Sequence, residues 1–161
     1  MTATARSERA QRKALSRARL RLNDKMFGED KHGRLAPNFS VQETAVAFFG
    51  HSPDWLRWRY RPDQPPKTKP KGWKPKHPKG YFVLDGERLE PKTTQSGARY
   101  YTLADIEKMA YALFDNEVFD GDSLLATLQI VYANAFLTGV LAEPVTIEYN
   151  PSLNVIKEAA S

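Results

Sequence analysis

Apolar positions recur at helical spacing in four stretches of this 161-residue chain, and short alternating runs lie between them. In the first stretch Val41, Ala45, Phe48 and Phe49 form one stripe, which predicts a helix over about 41–49. Ser40 with Glu43 three residues on is a capping box at its start, and Gly50 stops it. Ser52-Pro53-Asp54 is a second start signal, with a hydroxyl at the N-cap, proline in the first turn and an acid at the positive end of the helix dipole. A helix from Pro53 to about Arg61 follows. Arg57, Arg59 and Arg61 interleave with Trp55, Trp58 and Tyr60, so one side is expected to pack while the guanidinium groups project outward. Pro62 ends it.

Tyr81–Leu84, the turn Asp85-Gly86 and Glu87–Glu90 predict a β-hairpin. Ser96-Gly97 marks another turn, and Ala98–Tyr101 a further short strand, together a small β-wing. Thr102 and Asp105 open the next helix, in which Leu103, Ile106, Met109, Ala110, Leu113 and Phe114 form a stripe expected to pack on the first two helices. Asp120-Gly-Asp122-Ser123 caps a last helix, Leu124 to about Val140, apolar most of the way round. It is therefore either central to the core or buried against a second copy of itself. Pro144 ends the helical section, Val145–Tyr149 alternates like a strand, and the tail from Lys157 is expected to fray.

Charge changes this picture most. Residues 1–81 carry 19 Lys and Arg against 7 Asp and Glu, whereas residues 82–161 carry 5 against 12. A chain divided in this way presents one face to polyanions. Its basic half includes an arm, residues 1–38, with Arg6, Arg9, Arg12, Lys13, Arg17, Arg19 and Arg21 but few large apolar groups; it reads as a disordered segment that either solubilises the chain or orders on a phosphate backbone. Between Arg61 and Gly80 prolines alternate with Lys67, Lys69, Lys71, Lys74, Lys76 and Lys79, an extended cationic excursion suited to phosphates or simply to solvent.

The absence of cysteine excludes a disulfide scaffold and thiolate metal sites and fits a reducing cytoplasm. No apolar run reaches the length of a membrane span and no signal peptide is recognisable. His32, His51 and His77 lie far apart without metal-ligand spacing, there is no glycine-rich phosphate loop or nucleophile motif, and Asp120-Gly-Asp122 is too short for a calcium loop. Neither catalysis nor a cofactor is expected.

Two segments together carry a family resemblance. F-S-V-x-E-T-A followed by G-H-S-P-D-W-L-R-W-R, and then S-G-A-R-Y-Y-T-L-A-D-I-E-K-M, resemble the first helices and the wing of MerR-type winged-helix DNA-binding proteins. The matching positions are Ser40, Glu43, Ala45, Gly50, Ser52, Pro53, Leu56 and Arg57, then Gly97, Arg99, Tyr101, Thr102, Asp105, Ile106 and Met109, within residues 38–114. The resemblance implies that the second helix enters the major groove and that Arg57 and Arg99 grip phosphates. Asp54 and Trp55 take positions from which such proteins reach bases, Asp54 being better explained as a helix cap and Trp55 equally as core. The basic arm, the long segment from Pro62 to Arg99 and the short C-terminal helix depart from the family. They bring the chain closer to compact phage excisionases, which share the winged-helix plan without an effector domain.

The expected fold is therefore mainly α with a small β-wing, an α+β winged helix-turn-helix over residues 39–114 with an insertion at 62–80. A basic arm (1–38) precedes it, and a C-terminal helix and strand (115–161) follow. The expected function is sequence-specific binding of double-stranded DNA by a cytoplasmic transcriptional regulator. The alternatives are a recombination directionality or DNA-bending factor, and a protein-interaction module. Candidate DNA contacts are Arg17, Arg19, Arg21, Ser52, Trp55, Arg57, Arg59, Arg61, Lys76, Lys79, Arg99 and Tyr101. A homodimer through residues 123–140 and a protein partner on the acidic C-terminal half are further expectations.

Overall fold

A computed structural model describes residues 19–22 and 38–159. Among the described residues the fold is mixed α+β, with four helices beyond residue 38 and three two-stranded antiparallel sheets. Helix α1 starts as α-helix at Val41–Glu43 and continues as π-helix over Thr44–Phe49. Its capping box is complete: the Ser40 hydroxyl accepts from the Glu43 N–H and the Glu43 carboxylate from the Ser40 N–H, both at 3.1 Å. The wider π-helical turn lets the adjacent pairs Thr44-Ala45 and Phe48-Phe49 all face inward, where all four are buried. Gly50, at φ 70°, closes the helix in the left-handed conformation.

Helix α2 spans Pro53–Trp58, capped by the Ser52 hydroxyl accepting from the Trp55 N–H at 3.2 Å. It ends a turn earlier than the expected Arg61. The Arg59 carbonyl accepts from the Tyr81 N–H at 2.8 Å instead of continuing the helix. Gly80 makes this approach possible: at φ 88°, a Cβ there would lie 2.7 Å from the Arg59 carbonyl oxygen.

Strands β1 (Val83–Leu84) and β2 (Glu87–Arg88) form the expected hairpin, with Asp85 and Gly86 both at positive φ as a two-residue primed turn requires. Strand β4 (Arg99–Tyr100) pairs with β3 (Lys92–Thr93), a strand whose mixed composition gave no periodic signal. Directly after β4, Tyr101 exchanges backbone hydrogen bonds with Phe39 at 2.8 and 2.9 Å, tying the entry to α1 to the end of the second hairpin.

Helix α3 (Leu103–Asp115) is opened by the Thr102–Asp105 capping box and is the most buried element, its inward residues including Leu103, Ile106, Met109, Ala110 and Leu113. Helix α4 (Gly121–Leu137), N-capped by Asp120, packs along it. The core side of α4 carries Leu124, Leu128, Val131, Tyr132 and Ala135, all buried. Strand β5 (Ile147–Asn150) then pairs with β6 (Val155–Glu158). This corrects the expected fraying from Lys157: Lys157 and Glu158 are laddered with Glu148 and Ile147.

The arm reading is also corrected where the chain is described. Leu22 is only 2 % exposed and belongs to the core. The backbone N–H groups of Arg21 and Leu22 both donate to the buried Glu107 carboxylate, at 2.9 and 3.1 Å. A buried acid must find donors, and Glu107 takes them from this segment and from the Tyr132 hydroxyl.

Candidate nucleic-acid interface

The period of α2 decides which side chains reach solvent. Leu56 and Tyr60 turn inward and are buried, while Asp54, Arg57, Trp58 and Arg61 lie exposed. Arg57 pairs with Asp54 at 2.9 Å, with both side chains more than half exposed. Such an ion pair contributes little and is readily exchanged for another anion. Trp58 is 56 % exposed, a large aromatic surface set between Arg57 and Arg61.

Strand β4 carries Arg99 to the same region. Its guanidinium lies 5.5 Å from the centroid of the Tyr60 ring, and the Tyr60 hydroxyl donates to the Tyr101 hydroxyl at 2.8 Å. Burial pushes up the Tyr101 ionisation, and the positive charges of Arg99 and Arg57 both act on it in the opposite direction. Arg99 thus lies against the buried tyrosine pair, and the pair joins its strand to the end of α2, which carries Arg57. At the tip of the second hairpin Thr94–Ala98 is exposed, its turn closed by the Ala98 N–H donating to the Thr94 hydroxyl at 3.2 Å.

A second cationic surface comes from the loop 62–80. Asp63 and His77 clasp its ends, with Asp63 N–H donating to the His77 carbonyl at 3.1 Å and His77 N–H to the Asp63 carboxylate at 2.8 Å. Within the clasp Lys67, Lys69, Lys71 and Lys74 are exposed. Lys69 lies 6.0 Å from the centroid of the Trp73 ring.

The remaining candidate residues are placed differently. Trp55 is a packing residue: it stacks on His51 with ring centroids 4.0 Å apart and packs on Phe119 at 6.0 Å. Arg59 is held between the Trp55 and Tyr81 rings, at 4.7 and 4.6 Å, and donates to the Trp55 carbonyl. Burial lowers its guanidinium from the ordinary value, against the influence of Tyr81 and Asp63. Tyr101 is 1 % exposed and belongs to the core. Ser52 is engaged as the N-cap of α2. Lys76 pairs with Glu117 on the surface, and Lys79 is exposed beside it.

Arg19 and Arg21 are bound to the body of the protein. Arg19 makes a two-pronged contact with Asp115, at 3.1 and 2.8 Å, and lies over the Tyr111 ring. Although burial works against its charge, Asp115 holds its guanidinium above the ordinary value. Arg21 pairs with Glu158 at 2.6 Å. Arg17 lies outside the described residues.

Of the candidates, Arg57 and Arg61 are exposed on and just after α2, where Trp58 is exposed as well, and Arg99 is exposed on β4 against the Tyr60 ring. Trp58 was missed because arginine–aromatic alternation suggests two faces at a period of two, whereas a helix repeats at 3.6. At that period Trp58 falls with Asp54 and Arg61, and Arg59 falls with Trp55.

The sequence matches one described family. The chain belongs to DUF7229, a domain of unknown function, whose model matches residues 31–134. That match runs from before α1 into α4 and so takes in α2, the cationic loop, both hairpins and α3. No curated protein and no solved structure matches the chain. Among the described residues, no helix is long and apolar enough to cross a membrane.

Proposed function

We propose that this protein binds double-stranded DNA in a sequence-specific manner and acts as a transcriptional regulator. α1 and α2 are the two helices of a MerR-type helix-turn-helix, and the β3–β4 hairpin is its wing. The observation that carries the reading is the Tyr60–Tyr101 hydrogen bond, which ties the end of α2, with its exposed Arg57, to the end of β4, with its exposed Arg99. Neither arginine has a buried structural role, and both are exposed. An exposed cation on the helix itself and a second on the hairpin that follows, with Trp58 and Arg61 exposed on and just after the same helix, suit a duplex, whose phosphate rows border the groove that the helix would read.

Support also comes from the Phe39–Tyr101 backbone pairing, which anchors the hairpin to the start of α1 and so fixes wing and helices as one body. The lysine-rich loop adds sequence-independent attraction. Arg19 and Arg21 have no part in the interface, since they secure the N-terminal segment to α3 and β6.

Fluorescence anisotropy with the full chain tests the reading. Affinity for a pool of duplexes is expected to fall linearly with salt on logarithmic axes, at a slope near −0.9 per phosphate contact. Arg57→Ala and Arg99→Ala are each expected to weaken binding and reduce that slope by about 1. Unchanged slopes in both variants would refute the assignment of this face.

A further inference from the structure

Helix α4 has two apolar sides. Opposite its core stripe lie Ala126, Ile130, Ala133 and Leu137, all exposed, Ile130 by 39 % and Leu137 by 81 %. Their spacings of four, three and four residues keep them within about 60° of helix arc, on the side away from Leu124, Leu128, Val131 and Ala135. From Ser123 to Ala142 the sequence contains no Asp, Glu, Lys or Arg. An uncharged stripe at this spacing is the pattern of a helix seam rather than of a solvated face.

The order of small and large residues identifies the occupant. When a second α4 runs antiparallel about an axis between Ile130 and Ala133, Ile130 meets Ala133 of the partner subunit and Ala126 meets Leu137 of the partner subunit. Every large side chain then faces a small one. Beside Ala126 there is also a hollow of about 330 Å³ between α1 and α4, bordered by Val46, His51, Ala126 and Ile130. The protruding Leu137 of one copy is set opposite the hollow of the other. The surface is thus complementary to itself, as a two-fold interface requires, and its lack of charge offers nothing to an acidic or basic partner.

We infer that the protein forms a two-fold homodimer in which the exposed stripes of α4 pack antiparallel, Leu137 of each subunit entering the hollow beside Ala126 of the other. The inference stands apart from the DNA-binding reading, because it concerns a different face and its test contains no DNA.

Sedimentation equilibrium of the full chain over a range of concentrations reads the association directly. Wild type is expected at twice the chain mass. Leu137→Glu and Ala126→Glu alter exposed positions and are expected to weaken association at least about tenfold, with unchanged thermal melting of the monomer showing that the fold is kept. The double variant Ala126→Glu/Leu137→Lys tests the pairing. Positions 126 and 137 are about 16 Å apart on one helix, too far to pair internally, but each introduced carboxylate faces the introduced ammonium of the partner, so association is expected to recover relative to either single variant. A wild-type monomer at all concentrations would overturn the inference and leave the stripe to a different protein. A dimer indifferent to Leu137→Glu, or one not restored by the double variant, would overturn the proposed pairing.

Discussion

The Tyr60 hydroxyl donates to the Tyr101 hydroxyl at 2.8 Å, joining the turn that follows α2 to the end of β4. Both side chains are buried, and Arg99 lies over the Tyr60 ring. This bond holds the two arginine-bearing elements in register. Tyr60→Phe removes the donor and leaves the Tyr101 hydroxyl without it, so urea unfolding is expected to show a loss of about 1–2 kcal/mol. Tyr101→Phe should cost a similar amount, and the double variant less than the sum, since both remove the same bond.

The same tyrosines set an alkaline limit. Burial raises Tyr60, Tyr101, Tyr111 and Tyr132 above the ordinary tyrosine value of 10.0. A raised folded-state value means that the neutral form is favoured in the native protein. The stabilisation is therefore complete below about pH 10 and is lost as pH rises beyond it, by up to about 1.4 kcal/mol per pH unit for each group. Urea melts from about pH 8 to about pH 11 should show a plateau followed by a fall, and Tyr60→Phe should make the fall shallower. Stability that rose through this range would contradict the burial of these hydroxyls.

Glu107 fastens the N-terminal segment. Its carboxylate accepts from two backbone N–H groups and from Tyr132, yet burial is the larger influence and raises it above the ordinary 4.5. Glu107→Ala is expected to cost about 2–4 kcal/mol and to open the chain to protease near Leu22. The sign of the shift adds a second expectation. The contribution of Glu107 is fully present below 4.5 and declines as pH rises through its raised folded value, so Glu107→Gln should flatten the stability profile in that window. Unchanged proteolysis in Glu107→Ala would count against the docking of residues 19–22.

Trp58 separates stability from binding. Its side chain is exposed and no core contact depends on it. Trp58→Ala should leave thermal melting within about 0.5 kcal/mol of wild type and weaken DNA binding. Trp55→Ala should do the reverse, since Trp55 stacks on His51 and Phe119. Equal effects on melting would contradict the division of α2 into two faces.

Local signals in the sequence were readable wherever the chemistry is local. The boxes Ser40–Glu43 and Thr102–Asp105, the Ser52 cap and the Asp85-Gly86 turn each depend on residues within four positions, and all stand in the structure as their composition implies. Long-range partners were not readable. Nothing near Arg19 or Arg21 signals that Asp115 and Glu158 will neutralise them, and β6 is recognisable only through its pairing with β5. The end of α2 was misjudged for the same reason: the Tyr81 N–H that takes the Arg59 carbonyl arrives from the far end of the lysine loop. At the candidate interface, Arg57 and Arg99 were found through resemblance, whereas the roles of Trp55, Arg59 and Trp58 depend on helical phase and on aromatic neighbours distant in sequence.

The most direct measurement is selection of bound duplexes from a randomised library by the full chain at near-physiological salt. Enrichment of a defined motif, abolished in a protein carrying both Arg57→Ala and Arg99→Ala, is the expected result. Absence of duplex binding, or retention that is the same for wild type and the double variant, would contradict a DNA-reading surface built from α2 and β4.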